Sequence, residues 1–152
     1  MLNRLKDVFR SFQDHEVRYL VIGGIAAVIH GVPHATFDLD ILIEATPENG
    51  RRLLGALVEA GLGTASLTDV DSLLRHEITV FKDRVRIDVQ TATPGLIFGE
   101  AWARRETVVY EGQAIYIVSK TDLIASKKAA GRNIDLEDAR LLELRRDAES
   151  QG

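Results

Sequence analysis

Phe37-Asp38-Leu39-Asp40-Ile41-Leu42-Ile43 decides the fold. Its residues alternate apolar and acidic and then run apolar, a β-strand signature with one face able to enter a core. Side chains two apart on a strand share a face, so Asp38 and Asp40 project together, with Cβ atoms roughly 6.7 Å apart. Two carboxylates that close raise each other's pKa unless a positive group sits between them. A divalent cation such as Mg²⁺ favours carboxylate oxygens and would answer that repulsion. The plainer reading is a strand with one solvated face. Phe37, Leu39, Ile41 and Ile43 then form the core face.

Upstream, Tyr19-Leu20-Val21-Ile22 is a second apolar run, and it ends in Gly23-Gly24. Together with Val17 it reads as a buried strand turning sharply into a short helix over residues 25–30, with Gly31 placed to cap it. Glycines at such a turn let the backbone approach a bound group closely, and a helix N-terminus favours an anion such as a triphosphate. Downstream, Leu73 to Phe81 and Val85 to Val89 read as a hairpin turning at Lys82-Asp83-Arg84. In its second strand Arg84, Arg86, Asp88 and Gln90 share the polar face. Asp88 is thus a third strand carboxylate, which by itself reads as a surface residue paired with Arg86.

The remaining elements are expected as helices and one more hairpin. Leu2, Leu5, Val8, Phe9 and Phe12 fall at helical spacing over residues 2–15. Thr46 is a good N-cap, with Pro47 at the first helical position and Leu53, Leu54, Leu57 and Val58 as a stripe. Residues 62–71 read as a polar loop and 96–105 as a helix. Thr107 to Tyr110 and Ala114 to Val118 pair around Glu111-Gly112. Ser119 caps a helix over 120–130 that Gly131 stops. A last helix follows, with Asp135 and Asp138 spaced like a capping box. The expected fold class is α+β: a mixed or antiparallel sheet of about five strands flanked by helices. One domain is expected over 1–152, with C-terminal helices 120–148 packed on it.

Composition narrows the chemistry. The chain lacks cysteine, which excludes disulfides, thiol catalysis and thiolate metal sites. A net charge of −4 does not suit nucleic-acid binding by bulk electrostatics. The pairs Arg51-Arg52, Arg104-Arg105, Lys127-Lys128 and Arg145-Arg146 leave a local basic patch open, while those other than Lys127-Lys128 read first as solvated helix faces. The longest apolar stretch, residues 19–29, is too short to span a bilayer, and no N-terminal signal pattern is visible. A soluble cytoplasmic protein without membrane contact is the expectation.

Ile22-Gly23-Gly24, the interval 25–37, Asp38-Leu39-Asp40-Ile41 and Ile87-Asp88-Val89 together resemble the nucleotidyltransferase superfamily with the DNA polymerase beta-like fold. More narrowly, Gly23 to Gly31 and Thr36 to Asp40 look like the small bacterial branch that includes AbiEii-like abortive-infection toxins. The tail from Asp122 to Lys127, Gly131-Arg132 and Asp135 to Asp138 looks like that branch as well. The branch often carries Arg where His34 stands, and a neutral imidazole is a weaker phosphate partner. His30 and His34 do not form a metal pair, because Gly31 and Pro33 break helical spacing between them.

The resemblance implies transfer of a nucleoside monophosphate from an NTP to an acceptor hydroxyl. It implies Mg²⁺, or Mn²⁺ in its place, held by Asp38, Asp40 and Asp88. The same three residues would be catalytic, with Asp88 joining a second metal and helping to activate the hydroxyl. It assigns nucleotide binding to Gly23, Gly24, Thr36 and Lys127. The acceptor could be tRNA or another RNA, a protein or a small molecule, and a toxin role would bring an antitoxin partner. Two other readings stay open: a non-catalytic module of the same fold that binds a nucleotide or a protein, and a generic α+β domain whose aspartates are merely solvated.

Overall fold

A computed structural model describes residues 2–34 and 38–151. Among them, six strands form one mixed sheet: β1 (Tyr19–Ile22), β2 (Leu39–Ile43), β3 (Ile78–Lys82), β4 (Arg86–Gln90), β5 (Glu106–Tyr110) and β6 (Gln113–Ile117). Their order across the sheet is β3-β4-β2-β1-β6-β5. The α+β class holds, with one strand more than expected.

The two central strands are the two apolar runs. All four residues of β1 are buried, as are Leu39, Ile41, Leu42 and Ile43 of β2. β1 and β2 run antiparallel, with Ile22 opposite Asp40. β2 and β4 run parallel, with Asp40 opposite Asp88. Both hairpins form as expected, β3 with β4 and β5 with β6. Glu111 and Gly112 both take positive φ, 48° and 80°, the backbone that suits a tight two-residue hairpin turn.

Helices cover the sheet. α1 (Lys6–Asp14) follows a short 3-10 turn over Leu2–Leu5 and buries Val8, Phe9 and Phe12 against α3 (Pro47–Glu59) and β6. Phe12 and Tyr19 meet with ring centroids 4.8 Å apart. Thr46 caps α3 by accepting from the Asn49 N–H at 3.2 Å. α2 (Gly23–Ile29) starts at Gly23 itself, two residues earlier than expected, and lies on β1 and β2. α5 spans Phe98–Ala103. α6 (Lys120–Ala130) is capped by Ser119 and stopped by Gly131 at φ 74°, as its sequence indicates. It packs on α7 (Asn133–Gln151).

Two expectations are corrected. Residues 62–71 are not simply a loop, and Leu73 does not open a strand. A 3-10 turn covers Gly63–Leu67, and α4 covers Val70–Arg75, with β3 beginning only at Ile78. One cause is local, Asp69 accepting the Ser72 N–H at 2.7 Å, and the other is tertiary, Leu73 being buried over Gly50 of α3. The Asp-x-Asp strand is also shorter than expected. β2 begins at Leu39, so Asp38 lies one residue before it, and Phe37 lies outside the described residues.

Candidate functional site

Sheet register brings the acidic residues together. Asp40 sits at the start of β2, directly beside Asp88 on the parallel neighbour β4. Its other neighbour is Ile22, after which the chain turns out of β1 into α2. That turn needs Gly23. Its φ is +69°, and a Cβ there would stand 2.5 Å from Asp40 Oδ2 and 3.0 Å from Asp40 Cβ. The glycine therefore permits both the left-handed backbone and the close approach to the carboxylate. Gly24 is buried in the first turn of α2. Thr36 lies outside the described residues.

The Asp40 carboxyl is pushed up to about 6. Burial is the largest cause, followed by the negative charges of Asp88 and Asp38 and a hydrogen bond shared with Asp88, while Lys127 opposes the rise. The site thus carries more negative charge than its own cations offset at Asp40. Arg86 partly answers this. Its Nε donates to Asp88 Oδ1 at 2.9 Å, its second nitrogen reaches Asp88 Oδ2 at 3.4 Å, and Asp38 Oδ2 lies 3.8 Å from Nε. The pairing of Asp88 with Arg86 follows from their i, i+2 spacing on one strand face.

On the other side of Asp40 opens a cleft of about 160 Å³, lined by Gly23, Asp40, Gln90, Thr93, Ser126 and Lys127, among others. α6 delivers Lys127 into it. The Nζ of Lys127 lies 3.0 Å from Asp138 Oδ2 and 3.6 Å from Asp135 Oδ1, both carboxylates being buried on α7. Asp138 also meets His34 Nε2 at 3.1 Å, and Arg132 Nε donates to Asp135 Oδ2 at 2.6 Å. Asp135 and Asp138 are therefore not a capping box but the seat of Lys127, and the seat ties α6, α7 and His34 together. Burial alone would raise the Asp135 carboxyl, but the hydrogen bonds and charge of Arg132, with Lys127 beyond it, hold it below the usual range. His30 is remote from this chemistry: its Nε2 meets the Val118 carbonyl at 2.8 Å.

Lys127→Met is expected to destabilise the fold by about 1–2 kcal/mol, less than the roughly 3–5 kcal/mol of a typical broken buried pair. Arg132 still holds Asp135, and His34 still meets Asp138. Urea unfolding at neutral pH checks this.

The donor chemistry suits a divalent cation. Asp38, Asp40 and Asp88 offer hard oxygens, and the raised Asp40 carboxyl marks charge that a cation would relieve. As arranged, no group of three or more acidic or histidine side chains among the described residues closes to ligand geometry. Arg86 engages two of the three carboxylates instead.

Against this geometry stand the comparisons with known proteins. A family model described as "Nucleotidyltransferase of unknown function (DUF6036)" matches residues 2–149. The chain belongs to that family. Among solved structures, its fold is similar to that of a "putative nucleotidyltransferase" from Thermotoga maritima, at 14% identity and a TM-score of 0.55, covering 99% of this chain and 93% of the other. No curated protein matches the sequence. Family membership and the shared fold agree with the nucleotidyltransferase resemblance read along the chain. Gln90, Thr93 and Ser126 in the cleft carried no sequence signal; only the fold brings them there. No helix among the described residues is long and apolar enough to cross a membrane.

Proposed function

We propose that this member of the nucleotidyltransferase family is a metal-dependent enzyme that moves a nucleoside monophosphate from an NTP to an acceptor hydroxyl. The observation that carries the reading is the row of Asp88, Asp40 and Ile22 across three strands, with Gly23 pressed against Asp40 and Lys127 facing the same cleft. Carboxylates on one side and a cation on the other suit a substrate that is anionic and metal-bound.

In this reading the acceptor oxygen forms a bond to the α-phosphorus, the α–β anhydride bond breaks, and pyrophosphate leaves. Asp38, Asp40 and Asp88 would hold Mg²⁺ or Mn²⁺, which when bound supplies charge stabilisation to the attacking and leaving oxygens. Asp88 would take the hydroxyl proton. Gly23 leaves room for the phosphates beside Asp40. Lys127, held by Asp138 and Asp135, would present its remaining donor capacity to the pyrophosphate, and Thr36 would contact the nucleotide. The resemblance of the tail supports placing the chain with the AbiEii-like branch, which would make it a cytoplasmic toxin with an antitoxin partner. The acceptor is an RNA, a protein or a small molecule.

A second reading has its own support. Arg86 and Lys127 are each already ion-paired, as a site that binds without turning over would tolerate. Incubation with Mg²⁺ and four α-labelled NTPs against total RNA, lysate protein and a small-molecule panel separates the two. Label on one acceptor class is expected. NTP binding without label transfer would favour a nucleotide-binding module, and no metal-dependent NTP binding at all would refute both transfer and nucleotide binding, leaving a protein-binding module or a generic α+β domain.

A further inference from the structure

Arg86 occupies the ground that a cation would need. Its guanidinium reaches both oxygens of Asp88, at 2.9 and 3.4 Å, and lies 3.8 Å from Asp38. A fork of this kind uses carboxylate lone pairs that a metal ion would also use. The oxygens of Asp88 cannot face both partners in full. The guanidinium uses one lone pair on each oxygen, and a cation at the remaining ones would meet its positive charge at close range, so the two partners compete for Asp88.

Arg86 lies at the surface. Its side chain is 42% exposed, so it can swing out to solvent without leaving a cavity. Directly across the hairpin from Arg86 stands Lys82. Two like charges in directly opposed positions disfavour each other, so a guanidinium released from Asp88 finds no better partner on β3. Arg86 thus holds its carboxylates while they lack a metal and competes for them when one arrives.

Resting on the metal-dependent reading above, we propose that Arg86 is a resident counter-ion that a divalent cation must displace from Asp88, and that it thereby sets the metal affinity of the site. It is a positioning residue, acting through Asp88 and Asp38 and not on the substrate. Its role is to keep three clustered carboxylates tolerable in the metal-free protein and to raise the metal concentration at which the site fills.

The test is Mn²⁺ binding to the whole protein by calorimetry, without NTP. Arg86→Ala is expected to bind Mn²⁺ about 5–10-fold more tightly than the wild type, with Arg86→Lys between them, because an ammonium is a single point charge without the fork. Lys82→Ala removes the same charge one strand away and is expected to change the affinity by less than about twofold, since exposed charges are screened. Circular dichroism confirms that each variant is folded. An Arg86→Ala affinity equal to or weaker than wild type, or a Lys82→Ala gain as large as that of Arg86→Ala, overturns the displacement. If the wild type binds Mn²⁺ and Asp40→Asn does not, the metal site stands whatever Arg86 does. If neither the wild type nor Arg86→Ala binds Mn²⁺, the metal-dependent reading fails and takes this inference with it.

Discussion

Asp40→Asn is expected to lower nucleotidyl transfer by roughly 10³-fold or more, about 4 kcal/mol of barrier, and at the same time to make the metal-free protein more stable above pH 6. The two effects have one cause. The Asp40 carboxyl rises from 3.8 to about 6, first through burial and then through Asp88 and Asp38. The folded protein therefore holds a proton there that the unfolded chain has already lost. Its stability falls as pH rises between about 4 and 6, and it stays lower above that window. A shift of about two pH units corresponds to about 3 kcal/mol. Asparagine has nearly the same shape, carries no charge, and can still hydrogen-bond Asp88. Urea unfolding in EDTA at pH 4 to 8 should show a shallower pH dependence and a higher midpoint at pH 8 for the variant. A variant less stable than wild type at pH 8 would mean that the three carboxylates are not in conflict. The converse follows for the wild type: if the metal-dependent reading holds, Mg²⁺ should raise its melting temperature more at pH 8 than at pH 5, because a protonated Asp40 is a poor ligand.

How far the sequence reaches into this site depends on the range of the interactions. Asp38, Asp40 and the core face of β2 are local, set by a period of two along one segment. The Gly23 turn is local as well, and so are the caps at Thr46 and Ser119. Asp88 was readable as a strand carboxylate, but its place beside Asp40 depends on a parallel pairing between segments 48 residues apart, which no local pattern specifies. The same holds for Lys127. Its position on α6 was readable, whereas its seat was misread, because the i, i+3 spacing of Asp135 and Asp138 imitates a helix cap and burial alone distinguishes the two. The missed helix α4 is a different kind of error. Val70, Leu73 and Leu74 have helical spacing and Asp69 is a proper cap, but the surrounding Thr, Ser and Asp residues looked like loop. Leu73 stands at the head of the expected strand, and packing against Gly50 seats it on a helix instead.

Gly23→Ala separates the two demands made on that residue. The left-handed backbone at φ +69° costs an alanine about 1 kcal/mol. The new Cβ would also stand 2.5 Å from Asp40 Oδ2 and 3.0 Å from its Cβ and Cγ, so the carboxylate must move. Rotation of the carboxylate can carry Oδ2 away, while the 3.0 Å contact with Asp40 Cβ is left for the backbone to absorb by a few tenths of an ångström, and the carboxylate is the group that the proposed chemistry requires in place. Misplacing a reacting group by about 1 Å can lower a rate by about 100-fold. The expected result is therefore lopsided: stability falls by only about 1–2 kcal/mol, while transfer falls by about 100-fold. Gly112→Ala supplies the control. Gly112 has a similar φ of +80° in the β5–β6 turn, with nothing within 4 Å of a Cβ built there. It should lose similar stability and keep full activity. If Gly23→Ala loses no more activity than Gly112→Ala, the close approach to Asp40 has no part in the reaction. If Gly23→Ala instead unfolds the protein outright, the turn is structural first, and the 2.5 Å approach is resisted by the β1–α2 backbone and not by a carboxylate free to rotate.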